Sequence, residues 1–232
     1  MKHIYIAMVQ LPTLANRCAT MLTKFPCIHA SISFDENLEK LYAFQIKNKD
    51  TPLVGGLVEE TQAIYFHGKN NIYIKELVFK IPVTDNEYEN MKLFVNNIKN
   101  DSEYIFNYVS ALFMFFIGGV KSYKAYHCIE FISEVLSLTT TIKLPKKNHK
   151  MLPQDLYKTL LPFMIQERNL CSNDFDISND IFLKEIRFSA KLKKSFYSVA
   201  EAIYRTLFKK VSKNFDSKKV NYYESDIKKH IH

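Results

Sequence analysis

Two alternating runs close together in the chain, His29-Ala-Ser-Ile-Ser-Phe34 and Lys40-Leu-Tyr-Ala-Phe-Gln45, restrict the fold more than any other feature. Successive side chains of a strand point to opposite faces, so a run with period two reads as a strand with one face buried. Asp35-Glu-Asn37 between the two runs is turn-prone, and the pair reads as a β-hairpin. The uninterrupted apolar run of residues 3–9 reads as a buried strand. Residues 46–56 read as a loop with Pro52 and a Gly55-Gly56 stop, and two more strands are expected around Ala63–His67 and Ile72–Ile81.

Helices are expected between and after these strands. Thr13 to Phe25 has helical spacing at Leu14, Cys18, Met21 and Leu22, and Pro26 closes it. Thr84 can cap a helix running to about Asn97, with Asp85 and Glu87 complementing its dipole. Tyr104 to Val120 holds no charged residue, about 17 positions at the lower edge of what spans a bilayer. Asn107, Ser110 and Gly118-Gly119 interrupt it, so a buried helix packed on the sheet is the better reading. Cys128 to Leu138 reads as a further helix, 144–153 as a basic loop, and Pro153 as the start of a helical turn. Beyond Asp180, Leu192, Phe196, Val199, Ile203, Leu207 and Val211 form one apolar stripe, with Lys and Arg opposite. The fold class is thus α+β: a small, mostly antiparallel sheet or barrel packed with helices, plus a long basic amphipathic C-terminal helix. The expected division is a domain at 1–165 and a helical extension at 166–232.

The net charge of +8 lies entirely in residues 181–232, which hold 13 basic and 5 acidic residues. Such a segment suits an anionic membrane surface or an acidic protein face, or serves as a solvated helix face. Nucleic acid ranks last, because no helix-turn-helix, RRM or zinc signature accompanies the charge. Cys18, Cys27, Cys128 and Cys171 include no CxxC pair, so neither a metal site nor a disulfide framework is indicated, and no cofactor is expected. The first residues lack the apolar core and cleavage site of an export signal, so the expected location is cytoplasmic, with reduced thiols, or peripheral on a membrane.

A thiol nucleophile needs a lowered pKa, which a helix N-terminus and a nearby imidazole both supply. Cys128 follows the polar loop Lys121-Ser-Tyr-Lys-Ala-Tyr-His127 and opens the helix whose early turns hold Glu130 and Glu134. Its backbone N–H is suited to an oxyanion hole. A cysteine there can equally be a small buried hydrophobe. His29 starts a strand with Ser31 and Ser33 on the same side, a position that is also commonly structural. Spacing alone does not join the two.

Further motifs connect them. Cys27-Ile-His-Ala-Ser-Ile-Ser-Phe-Asp-Glu-Asn-Leu-Glu-Lys-Leu-Tyr-Ala-Phe44, continuing to Pro52-Leu-Val-Gly-Gly-Leu-Val-Glu59, resembles the YiiX-like permuted NlpC/P60 family. So do Tyr126-His-Cys-Ile-Glu-Phe-Ile-Ser-Glu-Val-Leu136 and Leu152-Pro-Gln-Asp-Leu156. The resemblance covers residues 3 to about 160 and implies a permuted papain-like fold in which histidine precedes cysteine. It implies Cys128 as nucleophile, His29 as general base and then acid, and an acyl-enzyme intermediate. It also implies a polar residue on the strand paired with His29. Ala43 stands where the family has Ser, leaving Gln45 as the candidate orienter, with Glu59 or Glu60 on the following loop as weaker alternatives. Ile129 replaces a usual Ser. Glu130 and Asp155 match family positions but read first as caps or surface pairs.

The expected function is therefore a cysteine-dependent amide or ester hydrolase, a peptidase, amidase or acyltransferase-like enzyme. Its expected substrate is a peptide, amide or acyl lipid. The abundance of aromatics, 18 Phe and 14 Tyr, tilts the choice toward an acyl group. The alternative is an inactive papain-like domain that binds anionic membrane or an acidic partner through residues 181–232.

Overall fold

The computed structural model describes residues 1–48, 51, 53–176 and 188–209. In chain order the elements begin with β1 (Lys2–Val9), α1 (Leu14–Thr23), β2 (His29–Ser33), β3 (Leu41–Ile46) and β4 (Gly55–Glu60). A short 3-10 turn (Gln62–Phe66) leads to β5 (Tyr73–Val83) and α2 (Asp85–Asn100). Then come β6 (Ile105–Phe106), α3 (Tyr108–Ile117), β7 (Ala125–Tyr126) and α4 (Cys128–Leu136). The chain continues through α5 (Pro153–Leu160), β8 (Met164–Cys171) and α6 (Phe188–Leu207). Six strands form one antiparallel sheet in the order β4-β3-β2-β1-β5-β8, while β6 and β7 pair in parallel as a separate ribbon.

β1 is central and buried on both faces, which is why residues 4–9 read as an unbroken apolar run. Ile4, Ile6 and Met8 belong to the main core with Met91, Phe94 and Val95 of α2, Phe131, Ile132 and Val135 of α4, and Leu156 and Leu160 of α5. Tyr5, Ala7 and Val9 belong to a second core that also takes in Leu41 of β3, Tyr65 and Phe66 of the 3-10 turn, and Leu170 of β8. Residues from both flanks of the sheet thus share one cluster, so the sheet curls around the 3-10 turn. Phe131 is wholly buried, with ring centroids 5.2 Å from Phe44 and 6.4 Å from Phe94. Burying a side chain of this size contributes about 1.5–3 kcal/mol.

The hairpin, the strand at 3–9 and the capped helix after Thr84 are as expected. Thr84 Oγ accepts from Glu87 N–H while the Glu87 carboxylate accepts from Thr84 N–H, a reciprocal cap. Ala63–His67 is not a strand. Gln62–Phe66 is a 3-10 turn with Ile64, Tyr65 and Phe66 all buried, and His67 closes the turn at φ 51°. Gly55-Gly56 opens β4 rather than ending a loop. A Cβ at Gly55 would lie 2.6 Å from Phe106 Cβ, so only glycine lets β4 pass the β6 ribbon.

Three further differences concern exposure and boundaries. β8 is a mostly exposed edge strand without apolar alternation, and its pairing to β5 is braced by Arg168 Nε donating to Glu76 at 2.6 Å. The division expected at 165 therefore falls inside a strand of the main sheet. The apolar run 104–117 is not one buried helix. Its start forms β6, and α3 leaves Leu112, Phe113 and Phe116 exposed at 66%, 44% and 70%. On α6 the side facing the body is not the apolar stripe. Ala202 and Arg205 are buried, Arg205 donates to Glu201 and to the Glu103 carbonyl oxygen, and Phe196, Ile203 and Leu207 face outward. The stripe's Val211 and the rest of the basic segment after 209 lie outside the described residues. Among those residues no helix is long and apolar enough to cross a membrane.

Candidate active site

β2 begins at His29 and α4 begins at Cys128, and the packing of α4 across β2 and β3 sets the first turn of the helix at the end of β2. The Cys128 thiol lies 3.6 Å from the Ile28 carbonyl oxygen, within donating reach of a sulfur. The His127 and His29 side chains both act on the thiol. His29 Nε2 is 3.0 Å from Glu60 Oε1, so Nδ1 is the nitrogen left for the thiol. Gln45 Nε2 in turn donates to Glu60 Oε2 at 2.5 Å. The four side chains form a line, Cys128, His29, Glu60, Gln45, and the last three are almost wholly buried.

The electrostatics follow from this order. Burial by itself would push the His29 pKa down, but the Glu60 carboxylate and the Cys128 sulfur outweigh it and raise the pKa to about 10. For Cys128, burial pushes up while the His127 and His29 side chains pull down more strongly, leaving the thiol at about 6. Its position as first residue of α4 favours the thiolate further, since the opening N–H groups of a helix have no intrahelical acceptor. Near neutral pH the pair is thus thiolate and imidazolium. Cys27, two residues before His29, contrasts with this: it is fully buried, and desolvation raises its thiol to about 12.

His127 adds a second imidazole. It is the N-cap of α4, with Nδ1 accepting the Glu130 backbone N–H at 3.4 Å. An Nδ1 that accepts leaves the ring hydrogen on Nε2. That Nε2 is buried, has no hydrogen-bond partner among the described residues, and lies 4.0 Å from Glu130 Oε2. Glu130 is itself fully buried, and desolvation raises its carboxyl pKa well above the usual range, so it is not the cap or surface pair expected of it. Asp155 does act as a cap, accepting from Leu152 N–H at 3.1 Å and from Lys146 at 2.6 Å.

A cavity of about 470 Å³ opens onto Cys128 and His127. Ile28, Ile46, Leu53, Phe106, Leu112 and Met114 are among its walls, and among the described residues Tyr108, His127 and Cys128 are its only polar side chains, with no charged one. On the far side of His29, Tyr65 stands edge-on to the ring at 5.9 Å and shares a hydrogen bond of 2.8 Å with Ser31. That wall holds the imidazole in one plane.

Cys128 and His29, both read from the sequence, are brought together. Gln45 is not the residue on the imidazole. Glu60 is, and Gln45 stands one step behind it. Pairing sets Ile32 across from Tyr42, a register that runs on to set His29 across from Gln45, whereas Glu60 lies across from Leu41. Only the curl of the sheet carries the Glu60 carboxylate back to His29. A signal for it does exist: in a strand ending Glu59-Glu60, alternation forces one carboxylate inward. Glu59 is the outward one, paired with Lys99 at 2.5 Å. His127 was not singled out by the sequence reading, and a histidine directly before a helix-opening cysteine was the available sign. Among the described residues no group of three His, Cys, Asp or Glu side chains could hold a metal ion. No family model, curated protein or solved structure matches this chain.

Proposed function

We propose that the chain is a cysteine-dependent acyl hydrolase or acyltransferase with a permuted papain-like arrangement, its triad being Cys128, His29 and Glu60. The observation that carries this reading is the placement of Cys128 at the first turn of α4, beside an imidazole held at 3.0 Å by a buried carboxylate. The similarity of residues 3 to about 160 to the YiiX-like permuted NlpC/P60 family points the same way. The apolar walls of the cavity favour an apolar acyl group over a charged peptide.

In this reading the Cys128 thiolate attacks the carbonyl carbon of an ester or amide, and the carbonyl π electrons move onto oxygen. Donors for that oxyanion are the Cys128 backbone N–H and His127 Nε2–H, the buried donor that otherwise has no partner. The intermediate collapses as the bond to the leaving group breaks, and the His29 proton at Nδ1 goes to the departing alkoxide or amine. Water then gives a proton to His29 and attacks the thioester, releasing a carboxylic acid and regenerating the thiolate–imidazolium pair. An alcohol or amine in place of water makes the same step a transfer. Glu60 holds the ring and stabilises its charge, and Gln45 fixes Glu60.

The test is intact-mass analysis of the full chain after mixing with p-nitrophenyl octanoate and with p-nitrophenyl acetate. A burst of p-nitrophenol with an octanoyl adduct on Cys128, absent in Cys128→Ser and weaker with acetate, is the expected result. No adduct with either ester, or an adduct that persists in Cys128→Ser, overturns the proposal.

A further inference from the structure

The apolar residues that led to expectations of packed helices at 13–25 and 104–117 are in large part on the outside. On α1, Leu14, Met21 and Leu22 are exposed at 76%, 81% and 59%. On α3, Leu112, Phe113 and Phe116 are exposed as well. Helices of a soluble fold turn such residues inward, and a contiguous exposed set marks an interaction surface. Ala19 of α1, Leu53 of the loop before β4, and Leu112 of α3 all line the cavity that reaches Cys128. Leu53 and Leu112 are at the same time solvent-exposed, so they form its mouth. The exposed apolar surface at Leu53 and Leu112 is therefore continuous with the cavity.

Charge narrows the partner. Residues 1–34 and 104–129 contain no Asp or Glu, so neither helix nor its flanks present an anion. Arg17 and Lys24 stand exposed on and just after α1, and Lys121 is exposed after α3. Apolar side chains ringed by cations are the composition of a surface that enters the headgroup boundary of an anionic bilayer. A second copy of this chain seated on the patch would cap the cavity mouth, whereas a bilayer faces that mouth with acyl chains.

We infer that the α1–α3 face is a docking surface for an anionic lipid bilayer, which delivers an acyl lipid through the mouth at Leu53 and Leu112 to Cys128. The delivery clause rests on the proposed acyl chemistry, while the docking itself does not.

Flotation of the full chain carrying Cys128→Ser, with vesicles of phosphatidylcholine with and without phosphatidylserine, tests it without any catalytic turnover. The protein is expected to float with the mixed vesicles. The double substitution L112D/F116D is expected to weaken partitioning roughly thirtyfold or more, because two large apolar side chains lose their burial. Both positions are exposed, so folding is checked by an unchanged melting temperature. R17E/K24E is expected to weaken binding only to the vesicles that carry phosphatidylserine. Failure of the parent protein to float, or equal flotation of L112D/F116D, overturns the inference. So does loss of flotation only when Lys218, Lys219, Lys228 and Lys229 are changed to Glu. A dimer in gel filtration that L112D/F116D converts to monomer also overturns it, in favour of a second copy. An inactive but vesicle-bound protein would remove the acyl chemistry and leave the docking standing.

Discussion

The charge state of Cys128 can be read directly by alkylation. With a thiol pKa of about 6, half of Cys128 is thiolate at pH 6. An ordinary cysteine at about 8.5 is then thiolate in roughly one molecule in 300. The populations differ roughly 150-fold, but a thiolate of lower pKa is also a weaker nucleophile. With a Brønsted slope of about 0.4–0.5, the shift of about 2.5 units costs roughly 10–18-fold, which leaves a net advantage of roughly tenfold. Iodoacetamide at pH 6, read by peptide mass spectrometry, should therefore label Cys128 roughly ten times faster than a free cysteine peptide. The rate should rise with pH through a midpoint near 6, and Cys27, held at about 12 by burial, should stay unlabelled. His29→Ala removes the imidazolium, so the midpoint should move up and the advantage at pH 6 should shrink, with His127 still pulling the thiol down. His29→Gln, which keeps a hydrogen-bonding side chain, serves as the second variant if the alanine protein does not fold. A Cys128 midpoint near 8.5, or one indifferent to both His29 substitutions, would refute the reasoning.

Further outcomes follow from the site and the core. Ester turnover should rise as pH increases through about 6, where Cys128 loses its proton, and fall through about 10, where His29 loses the proton it gives to the leaving group. Because the His29 pKa is raised in the fold, its pairing with Glu60 stabilises the protein at low and neutral pH and is lost above about 10. The depressed Cys128 contributes in the opposite sense, and its part is lost as pH falls through about 6. Glu60→Gln should draw the alkaline limb of the profile downward in pH. His127→Phe should lower kcat for p-nitrophenyl octanoate by about 10²–10³ if Nε2–H serves the oxyanion, and should move the Cys128 labelling midpoint up, with Cys128 still labelled by iodoacetamide at alkaline pH. Phe131→Ala should cost about 3–5 kcal/mol through the cavity it leaves between Phe44 and Phe94, a fall in melting temperature of roughly 6–20 °C by calorimetry.

Local pattern was enough for the elements whose side chains obey one period and whose ends carry a cap. The hairpin at 29–46, β1 and the helix after Thr84 were legible for that reason, and so was a helix opening at Cys128. Patterns failed where a neighbour rather than the segment sets the structure. The buried turn 62–66 looks like a strand until the curled sheet around it is known, and β8 lacks apolar alternation because it is an exposed edge. On α1 and α3 the helical period was correct, but period alone does not say which face meets the core, and much of the apolar face meets solvent.

The candidate site divides in the same way. The sequence by itself determined that a thiol would open a helix and that a histidine would begin a strand, because caps, turns and alternation are local. It also determined the composition of the surroundings, an uncharged apolar stretch at 104–120 ahead of the polar loop that leads to the cysteine. What only the tertiary structure decided is that the two meet, and that Glu60 rather than Gln45 holds the imidazole. Strand register, a local property, points His29 at Gln45. The curl that returns Glu60 to His29 comes from packing both faces of β1 at once, and no single segment encodes it.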